Sequence, residues 1–179
     1  MLPLLLLPVA LAAPEISVGA GYARTTYYED FGSYKRPMAE LSALLRWEAG
    51  WELEAGGRWI FYGYSTAPPL EGFVAGRAAP AIGPWRPTLG LELGVTGALY
   101  RDYPAISETN YGPGKDYSEV AFRDTVAPVY VQVTSEPLRF RVKRFSATVG
   151  GVSIGRTIPG LAAVTRLELT WARLEVALW

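Results

Sequence analysis

The stretch MAELSALLRW, residues 38–47, alternates apolar side chains with a second set at every other position. Successive side chains of a β-strand point to opposite faces of the sheet, so this period of two predicts a strand with one apolar face. The apolar set is Ala39, Leu41, Ala43, Leu45 and Trp47. The opposite set is Glu40, Ser42, Leu44 and Arg46. The fold class therefore depends on which of these two faces points into the protein.

Other parts of the chain repeat this alternation, most clearly WELEAGGRWIFYGY at 51–64 and TLGLELGVTGALY at 88–100. Eight strands are predicted in all, near 15–28, 38–48, 51–64, 72–82, 87–100, 120–134, 138–154 and 161–178. Tight turns are predicted at 49–50, 83–85 and 135–137. Longer connections are predicted at 29–37, 65–71, 101–119 and 155–160. Short turns that alternate with longer loops are typical of an antiparallel up-and-down meander.

Two barrel types could use such strands, and they differ in which face points inward. A soluble barrel or sandwich buries its apolar faces, whereas a transmembrane barrel turns them outward to lipid. The predicted strands are longer than the usual globular strand of about 5–6 residues. Their polar faces carry Glu, Arg, Gly, Thr and Tyr, and the sequence contains lysine only at Lys35, Lys115 and Lys143. Both features favour an all-β, eight-stranded, antiparallel up-and-down transmembrane β-barrel.

The aromatic residues are sorted between the two ends of the predicted strands. Four of the six tryptophans lie at the end with the tight turns, and most tyrosines lie at the end with the long loops. Amphipathic rings prefer the membrane interface, and transmembrane barrels carry them as two girdles. The predicted girdle residues are Trp47, Trp51, Trp85, Trp179, Tyr27, Tyr28, Tyr64 and Tyr100.

The opening MLPLLLLPVALAAPE is apolar up to Glu15 but shorter than the about 20 residues that a membrane helix needs. Ala10 and Ala12 match the small-residue cleavage pattern of a secretory signal peptide. The expected organisation is therefore a signal peptide over 1–12, removed on export, and one barrel domain over 13–179. The chain has 17 basic and 17 acidic residues and no cysteine, which argues against a nucleic-acid partner and against a disulfide framework.

With these features the chain resembles the small eight-stranded bacterial outer-membrane barrels, the group of the OmpA transmembrane domain, OmpX and OmpW-like proteins. The resemblance implies a location in the bacterial outer membrane and contact with its lipids and lipopolysaccharide or an equivalent. It also implies a monomer whose last strand, ending in an aromatic residue such as Trp179, is read by the outer-membrane assembly machinery. The chain departs from the family's regular alternation in two places. The apolar phase changes near Ala172 and Arg173 in the last strand and across Lys143 and Arg144 in the one before, which predicts β-bulges.

The alternation also predicts what fills the barrel, because an eight-stranded barrel is just wide enough for its own side chains. Charges packed that closely must pair, since an unpartnered buried charge costs several kcal/mol. The sequence thus predicts a plugged lumen that conducts little. The predicted inward acids are Glu40, Glu48, Glu52, Glu54, Glu92 and Glu168. The predicted inward bases are Arg46, Arg58, Arg77, Arg139, Arg141 and Arg166.

The sequence offers little for catalysis. It contains no histidine, the usual general base of outer-membrane barrel hydrolases and acyltransferases. Glu108, Asp116 and Glu119 in the 101–119 loop could bind a divalent cation, but their spacing is not that of an EF-hand and a solvated loop is favoured. We therefore expect no enzyme, no cofactor and no metal site.

Two functional classes remain open at this point. One is a structural or surface-interaction barrel that displays its loops. The alternative is a transport barrel for small or hydrophobic solutes, in which Pro128 would mark a bulge or a local gap in the sheet.

Overall fold

The computed structural model describes residues 13–29, 32–61, 70–96, 129–158 and 165–178. They form nine β-strands. The first five are β1 (Glu15–Glu29), β2 (Gly32–Trp47), β3 (Trp51–Ile60), β4 (Leu70–Ala78) and β5 (Thr88–Thr96). The other four are β6 (Val129–Glu136), β7 (Arg139–Val142), β8 (Phe145–Ile158) and β9 (Thr165–Ala177). In these ranges no helix is long and apolar enough to cross a membrane.

The strands form one closed antiparallel sheet. Its order is β6-β5-β4-β3-β2-β1-β9-β8-β7, and a further pairing of β6 with β8 closes the ring. β6 and β7 pair with β8 in the same register, so together they make one barrel strand that is interrupted at Pro137 and Leu138. The barrel therefore has eight strands, and the predicted eight-stranded antiparallel up-and-down fold is confirmed.

The barrel is inverted relative to a soluble one. In β5 the leucines face outward, and Leu91 is 61% exposed. Glu92, the next residue, is 1% exposed and points inside. Polar and charged side chains outnumber apolar ones among the buried residues of the described ranges. This distribution is that of a transmembrane barrel, with its apolar surface outside and its polar surface inside.

Two of the predicted tight turns are found in the structure. The β2–β3 hairpin turns through 48–50, where Gly50 has a φ of +82° and donates its N–H to the carbonyl of Trp47 at 3.0 Å. Only glycine adopts such a positive φ at little cost. Between β4 and β5, Ile82 and Trp85 pair across Gly83 and Pro84.

The third predicted turn, at 135–137, is wrong. The turn lies at Lys143 and Arg144, between β7 and β8. Ser135-Glu136-Pro137 has the composition of a turn, but Pro137 instead occupies an irregularity inside a barrel strand, where no ladder N–H is needed. The turn that the structure shows contains no glycine, proline, asparagine or aspartate from which it could have been predicted. Lys143 adopts a positive φ of 55° although it is not glycine. We define the end with these three turns as the tight-turn end and the opposite end as the loop end.

Several predicted boundaries need correction at the loop end. The connection predicted over 29–37 is mostly strand, since β2 begins at Gly32, and the break predicted from 155 gives way to β8 as far as Ile158. At the other end β4 stops at Ala78, not at 82. At the loop end, strand pairing continues beyond the residues whose apolar alternation predicted the strands. Residues 62–69, 97–128 and 159–164, with the predicted 101–119 loop and Pro128, lie outside the described residues.

Three neighbouring strands change phase at the same height of the barrel. Each carries two consecutive outward residues, Pro137 and Leu138 in the β6–β7 strand, Val149 and Gly150 in β8, and Trp171 and Ala172 in β9. The register between these strands is kept, and β9 instead shifts by one residue against β1 between Tyr22 and Ala23. The bulge predicted near Ala172 is therefore present one residue earlier. The bulge predicted at Lys143 and Arg144 is wrong, because those residues form the turn.

Candidate functional site: the charged lumen

The lumen near the loop end is organised around two arginines. Arg58, on β3, contacts four glutamates: Glu40 at 2.7 Å, Glu71 at 2.9 Å, Glu92 at 2.5 Å and Glu168 at 3.3 Å. Its guanidinium also lies 3.9 Å from the centre of the Phe73 ring. A planar group with five N–H donors suits this role, since it can bind several carboxylates at once.

Arg166, on β9, completes this cluster from the other side of the barrel. It binds Glu71 through both terminal nitrogens at 2.6 Å and contacts Glu168 at 2.7 Å. Tyr130 lies beneath it, 3.9 Å from ring centre to guanidinium, and its hydroxyl is 2.8 Å from Glu71. Oxygens of Glu71, Glu92 and Glu168 approach within 4.8 Å of one another, a spacing that could hold a metal ion. The two guanidiniums already bind all three, so we assign the cluster to ion pairing.

The middle of the lumen is built on Glu54, which is 1% exposed. It forms ion pairs with Arg77, from the neighbouring strand β4, and with Arg173, from β9. Arg173 also binds Glu136 at 3.1 Å, so this layer joins β3, β4, β6 and β9 across the barrel.

The tight-turn end holds a third layer. Arg139, which is 0% exposed, binds Glu52 at 2.6 Å and Glu175 at 2.5 Å. Arg46 contacts the same two glutamates, at 2.5 and 3.1 Å. Glu15 then joins Arg46, at 2.8 Å, to Arg141 at the rim.

The structure thus brings eleven residues of the predicted network into contact across the lumen: Glu40, Arg46, Glu52, Glu54, Arg58, Arg77, Glu92, Arg139, Arg141, Arg166 and Glu168. Glu48 is the exception, because it lies exposed in the β2–β3 turn.

Sequence reasoning missed five members of the network, one of which is Glu15 at the start of β1. Glu71 and Glu136 were placed in connections, whereas the structure places them at strand ends pointing inward. Arg173 and Glu175 point inward only because of the phase change in β9, and the broken apolar phase of that strand was the signal that could have assigned them. In the described ranges eight glutamates and five arginines are buried, so the interior carries more acids than bases, unlike the predicted balance of six against six.

A cavity of about 400 Å³ opens at the tight-turn end. Its charged lining consists of Glu15, Arg46, Glu48, Arg86 and Arg141. Partial burial, followed by the nearby cations Arg141 and Arg46, lowers the pKa of Arg86. The mouth of the lumen is therefore wetter and more positive than its interior.

Three of the predicted girdle residues lie together at this end. Trp47 and Trp51 pair across the β2–β3 hairpin, and Trp85 donates its indole N–H to the carbonyl of Pro137 at 2.6 Å. Trp51 is 61% exposed and faces outward. Trp59 and Trp171 also face outward, away from the turns, so tryptophan is not confined to one rim. Trp179, Tyr64 and Tyr100, and the side chains of Tyr27 and Tyr28, lie outside what the structure describes.

Comparison with known proteins bears on the fold. No protein-family model matches the chain, and no curated protein matches its sequence. Among solved structures the chain is similar to the Neisserial surface protein A, with a TM-score of 0.58 and 14% identity over 93% of this chain and 99% of that one. It also matches Ail, the attachment invasion locus protein of Yersinia pestis, with a TM-score of 0.43 and 12% identity over 92% and 99% of the two chains. At such identity the first similarity establishes a shared fold, and the second carries no further weight.

Proposed function

We propose that the chain is an integral protein of the bacterial outer membrane with a structural and surface-interaction role, whose lumen is closed and whose loops are displayed outward. The observation that carries this proposal is the inverted barrel: an apolar outer surface around an interior filled by ion-paired glutamates and arginines. A soluble barrel would expose that outer surface to water, at an unfavourable free energy of about 25 cal/mol per Å².

The outer surface supports a lipid environment along the whole barrel. Leu41 on β2 is 70% exposed, Val142 on β7 65% and Leu174 on β9 66%, so apolar residues face outward on widely separated strands. Trp51 and Trp85 at the tight-turn end are suited to the headgroup region, where their rings meet lipid and their indole N–H groups meet polar partners.

Basic residues on the outward face near the loop end support a contact with anionic lipid. Arg24 on β1, Lys35 on β2 and Arg156 on β8 occupy outward positions near this end. Guanidinium and ammonium groups bind phosphate oxygens well. We propose that these three side chains contact the phosphates of lipopolysaccharide or of an equivalent outer-leaflet lipid. We further propose that the chain is a monomer, that its N-terminal 1–12 segment directs export and is removed, and that the assembly machinery recognises the region of β9.

We propose no catalytic activity for this barrel. The sequence has no histidine, and the buried glutamates of the described ranges that could act as acids or bases are bound to arginines or polar groups. Carboxylates held in this way are engaged in ion pairs and serve packing. The same filling argues against the transport alternative, because a solute would have to displace ion pairs that join opposite strands.

Envelope fractionation tests the membrane assignment. We expect the protein to remain in the outer-membrane fraction after washing with alkaline carbonate, and to migrate faster in gels before boiling than after it, as closed barrels do. Recovery of the folded protein in the soluble periplasmic fraction would contradict the proposal.

A further inference from the structure

At the tight-turn end of the lumen, one arginine forms no ion pair with the described residues. Arg46, Arg139 and Arg141 share Glu15, Glu52 and Glu175, and each of these three arginines contacts at least one of those carboxylates. Arg86 lies beside them and forms no ion pair with any carboxylate in the described part of the chain. Its Nε is buried and has no hydrogen-bond partner among the residues that the structure describes.

The backbone fixes Arg86 at this position. Its N–H donates to the carbonyl of Arg139 at 2.8 Å, and the N–H of Arg141 donates to the carbonyl of Pro84 at 2.7 Å. The connection between β4 and β5 is thus held to β7 as a short ladder. Residues that face each other in such a ladder share one side of the sheet, so Arg86 lies on the same inward side as Arg139.

The cations next to Arg86 are themselves held in place. Glu15 binds both Arg46 and Arg141, and Arg141 also donates to the carbonyl of Lys143 at 3.0 Å. Two fixed guanidiniums therefore stand beside a third that forms no ion pair with any residue in the described ranges. Glu48, the remaining acid of the cavity lining, lies exposed in the β2–β3 turn.

The cavity in front of these residues has room for an anion. It measures about 400 Å³, whereas one water molecule takes up about 30 Å³ of liquid. Arginine keeps its charge at every accessible pH. A partly buried guanidinium that forms no ion pair therefore attracts an anion. Its planar fork matches the oxygens of a phosphate group.

We propose that this cavity is a binding site for a phosphate group, held chiefly by Arg86 with Arg141 beside it. The group belongs either to free inorganic phosphate in the periplasm or to the headgroup of an inner-leaflet phospholipid, which would reach the cavity past Trp47 on its rim. The site is a property of the mouth of the barrel and does not depend on whether the lumen conducts.

The test follows the arginine Nε–H signals of the folded, full-length mature barrel by NMR in an uncharged maltoside detergent, while inorganic phosphate is added. We expect saturable shifts of the Arg86 and Arg141 signals. Arg86→Gln removes a charge-assisted contact, for which we expect about tenfold weaker binding by Arg141. Arg144→Gln is the matched control, because Arg144 is exposed in the turn at the same end outside the cavity, and it should leave the affinity unchanged.

A second arm distinguishes the two sources of phosphate. Short-chain phosphatidylglycerol is added to the same samples in place of inorganic phosphate. Saturable, Arg86-dependent shifts with either probe support the site and identify its source, free phosphate or lipid. Absence of saturable shifts with both probes, or equal weakening by Arg86→Gln and Arg144→Gln, would overturn the proposal. Arg86→Gln is expected to fold normally, since Arg86 makes no ion pair, and its spectrum reports this directly.

Discussion

At the residue scale, Gly94 shows how tightly the interior is filled. It points inward on β5, opposite Tyr130, and a Cβ added there would lie 2.3 Å from the Tyr130 hydroxyl oxygen. That hydroxyl is held by Glu71 and Glu92, so the ring cannot move without breaking buried hydrogen bonds. Glycine is needed here for space, not for backbone conformation.

Replacing this glycine should therefore destabilise the barrel. We expect Gly94→Ala to lower the free energy of unfolding by about 1–3 kcal/mol, the usual cost of overpacking. The matched control is Gly72→Ala on β4, where a Cβ would meet nothing within 4 Å. Urea unfolding in lipid vesicles measures both, and equal midpoints would contradict this account of the interior.

Arg58 offers a test of the ion pairs themselves. Arg58→Leu leaves Glu40, Glu92 and two further glutamates with one fewer cation in a buried site, and removing one partner of a buried pair costs about 3–5 kcal/mol. Arg156→Leu is the control, because Arg156 is exposed on the outer face, so its loss leaves no buried carboxylate without a cation. We expect a large loss of stability for Arg58→Leu and little change for Arg156→Leu. Similar unfolding midpoints for the two variants would show that the network does not stabilise the fold.

The sequence could predict the inward direction of network residues only in strands whose alternation is unbroken. Glu52, Glu54 and Arg58 lie in a strand of unbroken alternation, so their inward direction could be assigned from the pattern alone. Which residues pair could not be assigned, because Glu54 meets Arg173, 119 positions away, through the closure of the barrel. Arg86 was missed because it lies in a connection, where a period of two says nothing.

At the scale of the elements, the coordinated phase change of β6–β7, β8 and β9 determines the layer at the tight-turn end. Arg139, Arg173 and Glu175 point inward because two outward residues precede or follow them in each strand. A one-residue slip turns every later side chain of a strand to the opposite face. In β9 the apolar residues change phase, so the sequence predicts the phase change there. In the β6–β7 strand and in β8 the position of the phase change could not be predicted. Pro137 has the composition of a turn residue, and the true turn at Lys143 and Arg144 contains no glycine.

Deletion of Leu174 tests this arrangement. It would place Arg173 and Glu175 on opposite faces of β9, so one of the two would turn to lipid, and either Glu54 would lose Arg173 or Arg139 would lose Glu175. We expect the deletion variant to fail in refolding into vesicles, measured by the gel shift of the folded barrel. Leu174→Ala keeps the residue count and should refold. Equal yields of the two variants would be evidence against the inward direction of both residues.

At the scale of the whole molecule, the described lumen is electrostatically uneven. Glutamates outnumber arginines in the cluster around Arg58 and Arg166 near the loop end, while Arg86, which forms no ion pair with a described residue, adds a cation at the tight-turn end. The overall topology could be predicted from alternation and turn lengths, and it places the three tight turns at the same end of the barrel.

Trypsin treatment of intact cells tests the orientation. The 101–119 segment contains Arg101 and Lys115, and we expect cleavage there because long connections of such barrels face outward. The turn at Lys143 and Arg144 should be spared, since we expect it to face the periplasm. Permeabilised cells provide the control that both sites are cleavable. Cleavage at Lys143 or Arg144 in intact cells would reverse the assignment.

The closed lumen is tested most directly by the conductance of the purified barrel in a planar lipid bilayer. Three layers of ion pairs cross the interior, so we expect no large, steady channel from the wild-type protein. The double variant Glu52→Ala with Glu54→Ala removes one carboxylate partner from each of four arginines, and should either destabilise the barrel or open a narrow conducting path. These arginines are Arg46, Arg77, Arg139 and Arg173. A large and steady conductance of the wild-type protein would contradict the account and favour a transport function.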